Sequence, residues 1–178
     1  MGFGDTSVLC KIVFILLILC FIIDLIGFAI PYWYSIEVST SGGTYKQNIG
    51  LWLSCIDLNS YFQRTYSCGT INDSSLLSDW FRAVRAFSIL SWLFFLVALV
   101  LVIVFMFFLS EKKVLYLAAV CLSFAGALCA MIAFAVYAGE WKFNEYSAGF
   151  ALTIIAFILG LIIGILGIID YLGIVGGK

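Results

Sequence analysis

The chain has 178 residues, of which 65% are hydrophobic and 11% charged, with a formal net charge of −1 and no histidine. A soluble domain is about half apolar and a quarter charged, so this chain cannot cover its apolar surface with its own polar side chains. The near-zero charge excludes an electrostatic nucleic-acid-binding role, and the absence of imidazole removes the commonest metal ligand and general base. Neither a cofactor nor an enzymatic activity is expected.

Residues 8–30 form the first apolar run, broken only by Lys11 and Asp24. A helix needs ~20 apolar residues to cross a ~30 Å hydrocarbon core, and backbone polar groups in lipid must be satisfied within the segment. The run is therefore expected to be a transmembrane helix (TM1) and a retained signal anchor, since it exceeds a cleavable signal core. Asp24 is its anomaly, an intramembrane acid. A carboxylate within a span costs ~2.5–3.5 kcal/mol on insertion scales, so it should face the bundle, be protonated or meet a polar partner such as Ser88 or Ser91. Ion or proton handling is the functional alternative for this residue. Cys10, near the start of the run, is an acylation candidate.

Residues 31–84 are the long polar segment, expected outside the cell. Four of the six cysteines, Cys10, Cys20, Cys121 and Cys129, fall in apolar runs, where a thiol acts as a small hydrophobe. Cys55 and Cys68 share the polar loop. Their spacing suits neither a Cys-x-x-Cys redox pair nor, without histidine, a zinc site, so a structural disulfide is expected. Residues 33–39 alternate apolar and polar as a half-buried strand does. Ser41-Gly42-Gly43-Thr44 signals a turn, residues 45–56 can form one returning strand, and residues 62–68 a third. Asn72-Asp73-Ser74 is a glycosylation sequon, so Asn72 can carry a glycan. Ser78-Asp79 resembles a helix N-cap, so a helix should begin outside and run into the second span.

Three further apolar runs follow: 85–109 (TM2), 114–137 (TM3) and 147–170 (TM4), separated by a turn at 110–113 and a loop at 138–146. Gly160 and Gly164 form a GxxxG element extended by Gly167, and Ala119, Ser123 and Ala127 recur every four residues. Such small-residue faces let helices approach closely in lipid, and packing of the third span on the fourth is the expected use. Lys11, Lys112, Lys113 and Lys178 lie on the side of the termini, which places both termini in the cytoplasm by the positive-inside bias.

"PYW" (Pro31, Tyr32, Trp33), then "GLWLSC" from Gly50 to Cys55, then Cys68, then "RAF" opening at Arg85, resemble the claudin superfamily. That group comprises claudins, peripheral myelin and epithelial membrane proteins, and tetraspan auxiliary subunits of channels and receptors. Its signature is a tryptophan, a Gly-Leu-Trp and two cysteines in the first extracellular loop, here Trp33, Gly50, Leu51, Trp52, Cys55 and Cys68. The resemblance implies an all-α four-helix membrane bundle, residues 1–178 as a single domain, capped by an antiparallel sheet from the first extracellular loop. It also implies roles. Gly50 lets a strand backbone pass close to a neighbour, Leu51 and Trp52 lie at the outer membrane surface with a wet indole N–H, and Trp33 packs beneath the sheet. Arg85 reaches loop carbonyls or the aromatic cluster. Unlike many claudins, the chain has no proline in its second loop, and its last residues, "GIVGGK", are not expected to bind a PDZ domain.

The functional expectation is a plasma-membrane protein at cell–cell junctions that forms or regulates a paracellular barrier or pore. Its partners would be the lipid bilayer and copies of itself in the same and the opposing membrane. Asp57, near the cysteines, is the candidate for cation preference. The alternative is a myelin- or epithelial-membrane-protein-like organiser, or an auxiliary subunit that binds another membrane protein.

Overall fold

The computed structural model describes residues 6–60, 62–71, 78–140 and 145–173. Four helices, α1 (Val8–Ala29), α2 (Asp79–Phe107), α3 (Lys113–Glu140) and α4 (Ala148–Tyr171), are long and apolar enough to cross a membrane. Even the shortest, at 22 residues, extends roughly 33 Å at ~1.5 Å per residue, enough for the hydrocarbon core. Helix α2 starts at Asp79, ahead of the apolar run that begins at residue 85, and α3 continues to Glu140. Both helices therefore project beyond the bilayer-length run on the same side of the bundle.

Helix α1 shows how such a sequence chooses its inward face. Its buried residues, Cys10, Val13, Leu17, Cys20, Asp24 and Gly27, alternate by three and four. The stripe facing outward, Val8, Ile12, Ile15, Leu19, Ile22 and Ile26, has the same spacing and is more apolar. In lipid the apolar surface need not hide, so large aliphatics face outward while small and polar side chains pack between helices. The same holds for α3 and α4, whose buried residues include Ala119, Ser123, Ala127, Gly160, Gly164 and Gly167. A Cβ on Gly164 would lie 2.5 Å from the Phe124 ring, and one on Gly167 would lie 2.4 Å from Val120. The GxxxG element thus packs α4 against α3 within the molecule. Around the bundle, α1 packs on α2 and α4, and α3 packs on the same two.

Between α1 and α2 the chain forms a four-stranded antiparallel meander, β1 (Tyr34–Thr40), β2 (Gly43–Ile49), β3 (Leu53–Ser60) and β4 (Arg64–Thr70), in that spatial order. The β1–β2 turn falls at Ser41-Gly42, where Gly43 adopts φ +146°, a conformation that L side chains rarely take. The expected single strand over residues 45–56 is two strands. The chain reverses at Gly50-Leu51-Trp52, and the pairing of Ile49 with Ser54 closes a hairpin there. The apolar Leu51-Trp52-Leu53 run carries no turn residue beyond Gly50, so the sequence hides the corner. The meander is joined to α4 as well: Tyr146 forms an isolated antiparallel bridge with Tyr34, and the Ser147 N–H donates to the Trp33 carbonyl at 3.1 Å.

Candidate functional site

The signature residues come together where the sheet meets the bundle. Construction starts at Pro31, where the chain leaves α1 in an extended conformation. Trp33 is wholly buried, and its indole Nε1 donates to the Gly27 carbonyl at 2.8 Å. That carbonyl lies in the last turn of α1, where no helical N–H remains to satisfy it. The indole ring meets Tyr137 and Phe150 edge-on at 5.0 and 6.2 Å. Gly149 makes the slot possible, because a Cβ there would lie 2.6 Å from Trp33 Cδ1. Reading the sequence did not single out Gly149 for this role. Its only signal is a glycine at the mouth of the fourth span.

The Gly50-Leu51-Trp52 corner drops into the same end of the bundle. Gly50 needs no left-handed conformation. A Cβ there would fall 2.5 Å from Pro31 Cα and 2.6 Å from the Ile30 carbonyl oxygen, both backbone atoms. Leu51 does not lie at the outer membrane surface as expected: it is wholly buried in a cluster with Trp33, Phe81, Val84, Ala133 and Tyr137. The hairpin turn aims it down the bundle axis, a direction that strand alternation does not contain. Trp52 is half-buried, and its Nε1 is enclosed with no hydrogen-bond partner rather than wet. Its ring faces the Arg85 guanidinium at 4.9 Å, and Phe28 stands edge-on to it at 6.5 Å. The ring is therefore held by α1 and by a cation–π contact.

Arg85 is 9% exposed. Its Nε donates to the Leu51 carbonyl at 2.7 Å and its Nη2 to the Ile71 carbonyl at 3.0 Å, while the guanidinium lies 4.9 Å from the Phe81 ring. One planar fork thus joins the β2–β3 corner to the strand leaving β4. A lysine could not span both carbonyls in this geometry.

Cys55 and Cys68 form a disulfide between directly paired residues of β3 and β4, with Cα atoms 4.1 Å apart. Cross-strand register then separates two faces. The face bearing the disulfide is polar. On it Arg64 donates to both Asp57 carboxylate oxygens, at 3.1 and 2.6 Å. These hydrogen bonds, reinforced by the guanidinium charge, hold the Asp57 carboxyl below its ordinary range. The opposite face aligns Val38, Tyr45 and Leu58 across three strands, with Ile36, Gln47 and Ile56 in the next row. None of the described helices covers it: Val38 and Leu58 are exposed and the others half-buried. Phe62, in the β3–β4 turn, is fully exposed.

Asp24, on the inward stripe of α1, is 1% exposed and accepts a hydrogen bond from Ser91 Oγ at 3.0 Å, one of the two partners expected. It lies in the spans, apart from the sheet. Cys10 is buried at 1% exposure, so its thiol is turned into the bundle and is not presented for acylation. Asn72 lies outside the described residues. Among the described residues, no three His, Cys, Asp or Glu side chains gather where they could hold a metal ion.

The model of the PMP-22/EMP/MP20/Claudin family matches residues 6–167, from the N-cap of α1 to near the end of α4. The chain belongs to that family. Membership accounts for the combination of four spans, an antiparallel sheet and an inter-strand disulfide, and it makes the chain a multi-pass membrane protein in contact with the lipid bilayer. It also groups the chain with structural and channel-associated membrane proteins.

Proposed function

We propose that the protein acts at cell–cell contacts as a claudin-like adhesion component that seals, or selectively permeates, the space between apposed plasma membranes. The observation that carries this reading is the uncovered apolar face of the sheet, with Val38, Tyr45 and Leu58 in one cross-strand row and Phe62 at the tip. An apolar face that the chain's own helices leave bare is a surface for another protein. The seat beneath it is rigid, which lowers the cost of ordering on binding. Copies in the same membrane and in the opposing one are the partners that suit a surface presented outward on a four-helix base. In this reading both termini are cytoplasmic, since the disulfide needs the oxidising side. Asp57 can contribute to cation preference only to the extent that Arg64 leaves its charge uncompensated.

The test is expression of a tagged copy in cells that lack junctional strands. Enrichment at contacts and a changed transepithelial resistance are the expected results. Uniform surface staining with unchanged resistance would overturn the reading.

The family match also embraces the myelin and epithelial membrane branch, so a membrane organiser or auxiliary subunit is the second reading. Stoichiometric co-purification of one channel or receptor, unaffected by Leu58→Ser, would favour it.

A further inference from the structure

At the end of the bundle opposite the sheet, the helix termini enclose a cavity of about 230 Å³ lined by Ser7, Phe105, Lys113, Tyr116, Asp170 and Tyr171. It lies below the ~300–1,000 Å³ of pockets that enclose a drug-sized ligand. Four helices contribute to it: Ser7 caps α1, Phe105 closes α2, Lys113 and Tyr116 open α3, and Asp170 and Tyr171 end α4. Its floor is buried and its rim is open, with Tyr116 only 3% exposed while Lys113 and Tyr171 reach solvent.

The polar groups are sorted by type. Asp170 is half-buried, and its Oδ1 accepts from Ser7 Oγ at 2.5 Å. The Tyr116 ring lies tilted against Phe105 at 5.2 Å, and its enclosed hydroxyl makes no well-formed hydrogen bond, with the Asp170 carboxylate beside it as the available acceptor. A buried hydroxyl left unsatisfied is costly, and here it borders a cavity large enough for a ligand atom. None of the ion pairs among the described residues involves Asp170 or Lys113. The cavity therefore offers the Tyr116 hydroxyl at its floor, the Ser7–Asp170 pair nearer solvent and the Lys113 ammonium at its rim.

The geometry points to a binding site for the ethanolamine phosphate headgroup of a phospholipid. A primary ammonium can donate to the Asp170 carboxylate and to the Tyr116 and Ser7 oxygens, while Lys113 meets the phosphate. One acid and one base match a zwitterion. Choline has no N–H to give these acceptors, and a serine headgroup would bring a second carboxylate against Asp170. The diacyl lipid, rather than soluble phosphoethanolamine, is the source because exposed apolar residues stand at all four neighbouring helix ends: Val8, Phe108, Val114 and Leu172. These can take acyl chains once the headgroup is seated.

The test uses the full chain purified in a neutral detergent and titrated with dioleoyl phosphatidylethanolamine, phosphatidylcholine and phosphatidylserine, with bound lipid counted by native mass spectrometry. The ethanolamine lipid should bind at least tenfold more tightly than the other two. Asp170→Asn and Tyr116→Phe should each reduce that preference about tenfold, with the thermal unfolding midpoint of the lipid-free protein monitored so that a loss of fold is not mistaken for a loss of binding. Lys113→Gln should weaken all three phospholipids together, since each carries the phosphate. Equal retention of the three lipids, or an unchanged preference in a folded Asp170→Asn variant, would overturn the assignment. Soluble phosphoethanolamine binding as tightly as the diacyl lipid would overturn the lipid source.

Discussion

Where the sheet meets the bundle, Trp33 and Leu51 are wholly buried and Arg85 fastens two loop carbonyls. At the other end of the same sheet, Phe62 is fully exposed and every residue of β4 faces solvent. A single domain thus holds a seat packed like a protein interior and a tip that its described helices leave exposed. The seat is what the family motif encodes, since Trp33, Gly50, Leu51 and Arg85 all serve it. Substitution at the exposed tip should leave the fold undisturbed.

Mutations should separate the two ends. The largest loss is expected for Trp33→Ala, which empties the slot between α1 and α4 and strips the Gly27 carbonyl of its donor. Removing a buried tryptophan costs about 3–5 kcal/mol, to be read as a lower unfolding midpoint in detergent and as poor delivery to the cell surface. Loss of the Cys55–Cys68 bridge in a double serine variant should cost about 3 kcal/mol, given the 13-residue separation. The wild-type protein treated with reductant should match it. Arg85→Lys should cost about 1–3 kcal/mol, because one of the two buried carbonyls loses its donor. If Arg85→Lys proved neutral, the fork joining the corner to Ile71 would not be what holds the sheet in place.

At the tip the expectation reverses. Leu58→Ser and Phe62→Ser should move stability by no more than about 0.5 kcal/mol, as exposed positions do, yet abolish enrichment at cell contacts. The smallest effect is that of the Asp57–Arg64 pair. The folded-state carboxyl sits below its ordinary value, so its small stabilising contribution is present above about pH 4 and fades as pH falls through the depressed value. Arg64→Gln should leave stability nearly unchanged and remove that acid dependence. In an epithelial layer it should shift permeability toward cations; an unchanged dilution potential would remove Asp57 from any selectivity role.

The four spans could be read from hydropathy, because lipid demands long apolar helices whatever the tertiary arrangement. Cys55 with Cys68 could be read from the chemistry of two thiols in one polar loop. Gly50 was legible as a close approach, though the sequence does not say that Pro31 and Ile30 are what it approaches. The corner at Leu51 and Trp52 was not legible. Leu51, Trp52 and Leu53 are apolar in succession, and nothing local distinguishes a leucine facing lipid from one packed inside a bundle. The bridge between Tyr146 and Tyr34 and the match of Gly149 to Trp33 join residues more than a hundred positions apart. In the same way, α1 is apolar on both faces, so only packing against α2 decides that Ser91 is the partner of Asp24. Sequence by itself determined which segments enter the membrane and which two sulfurs meet, because solvation and redox chemistry act locally. The tertiary structure alone decided which side of each apolar segment turns inward, because in lipid that choice is made by shape and hydrogen bonding between helices rather than by hydrophobicity.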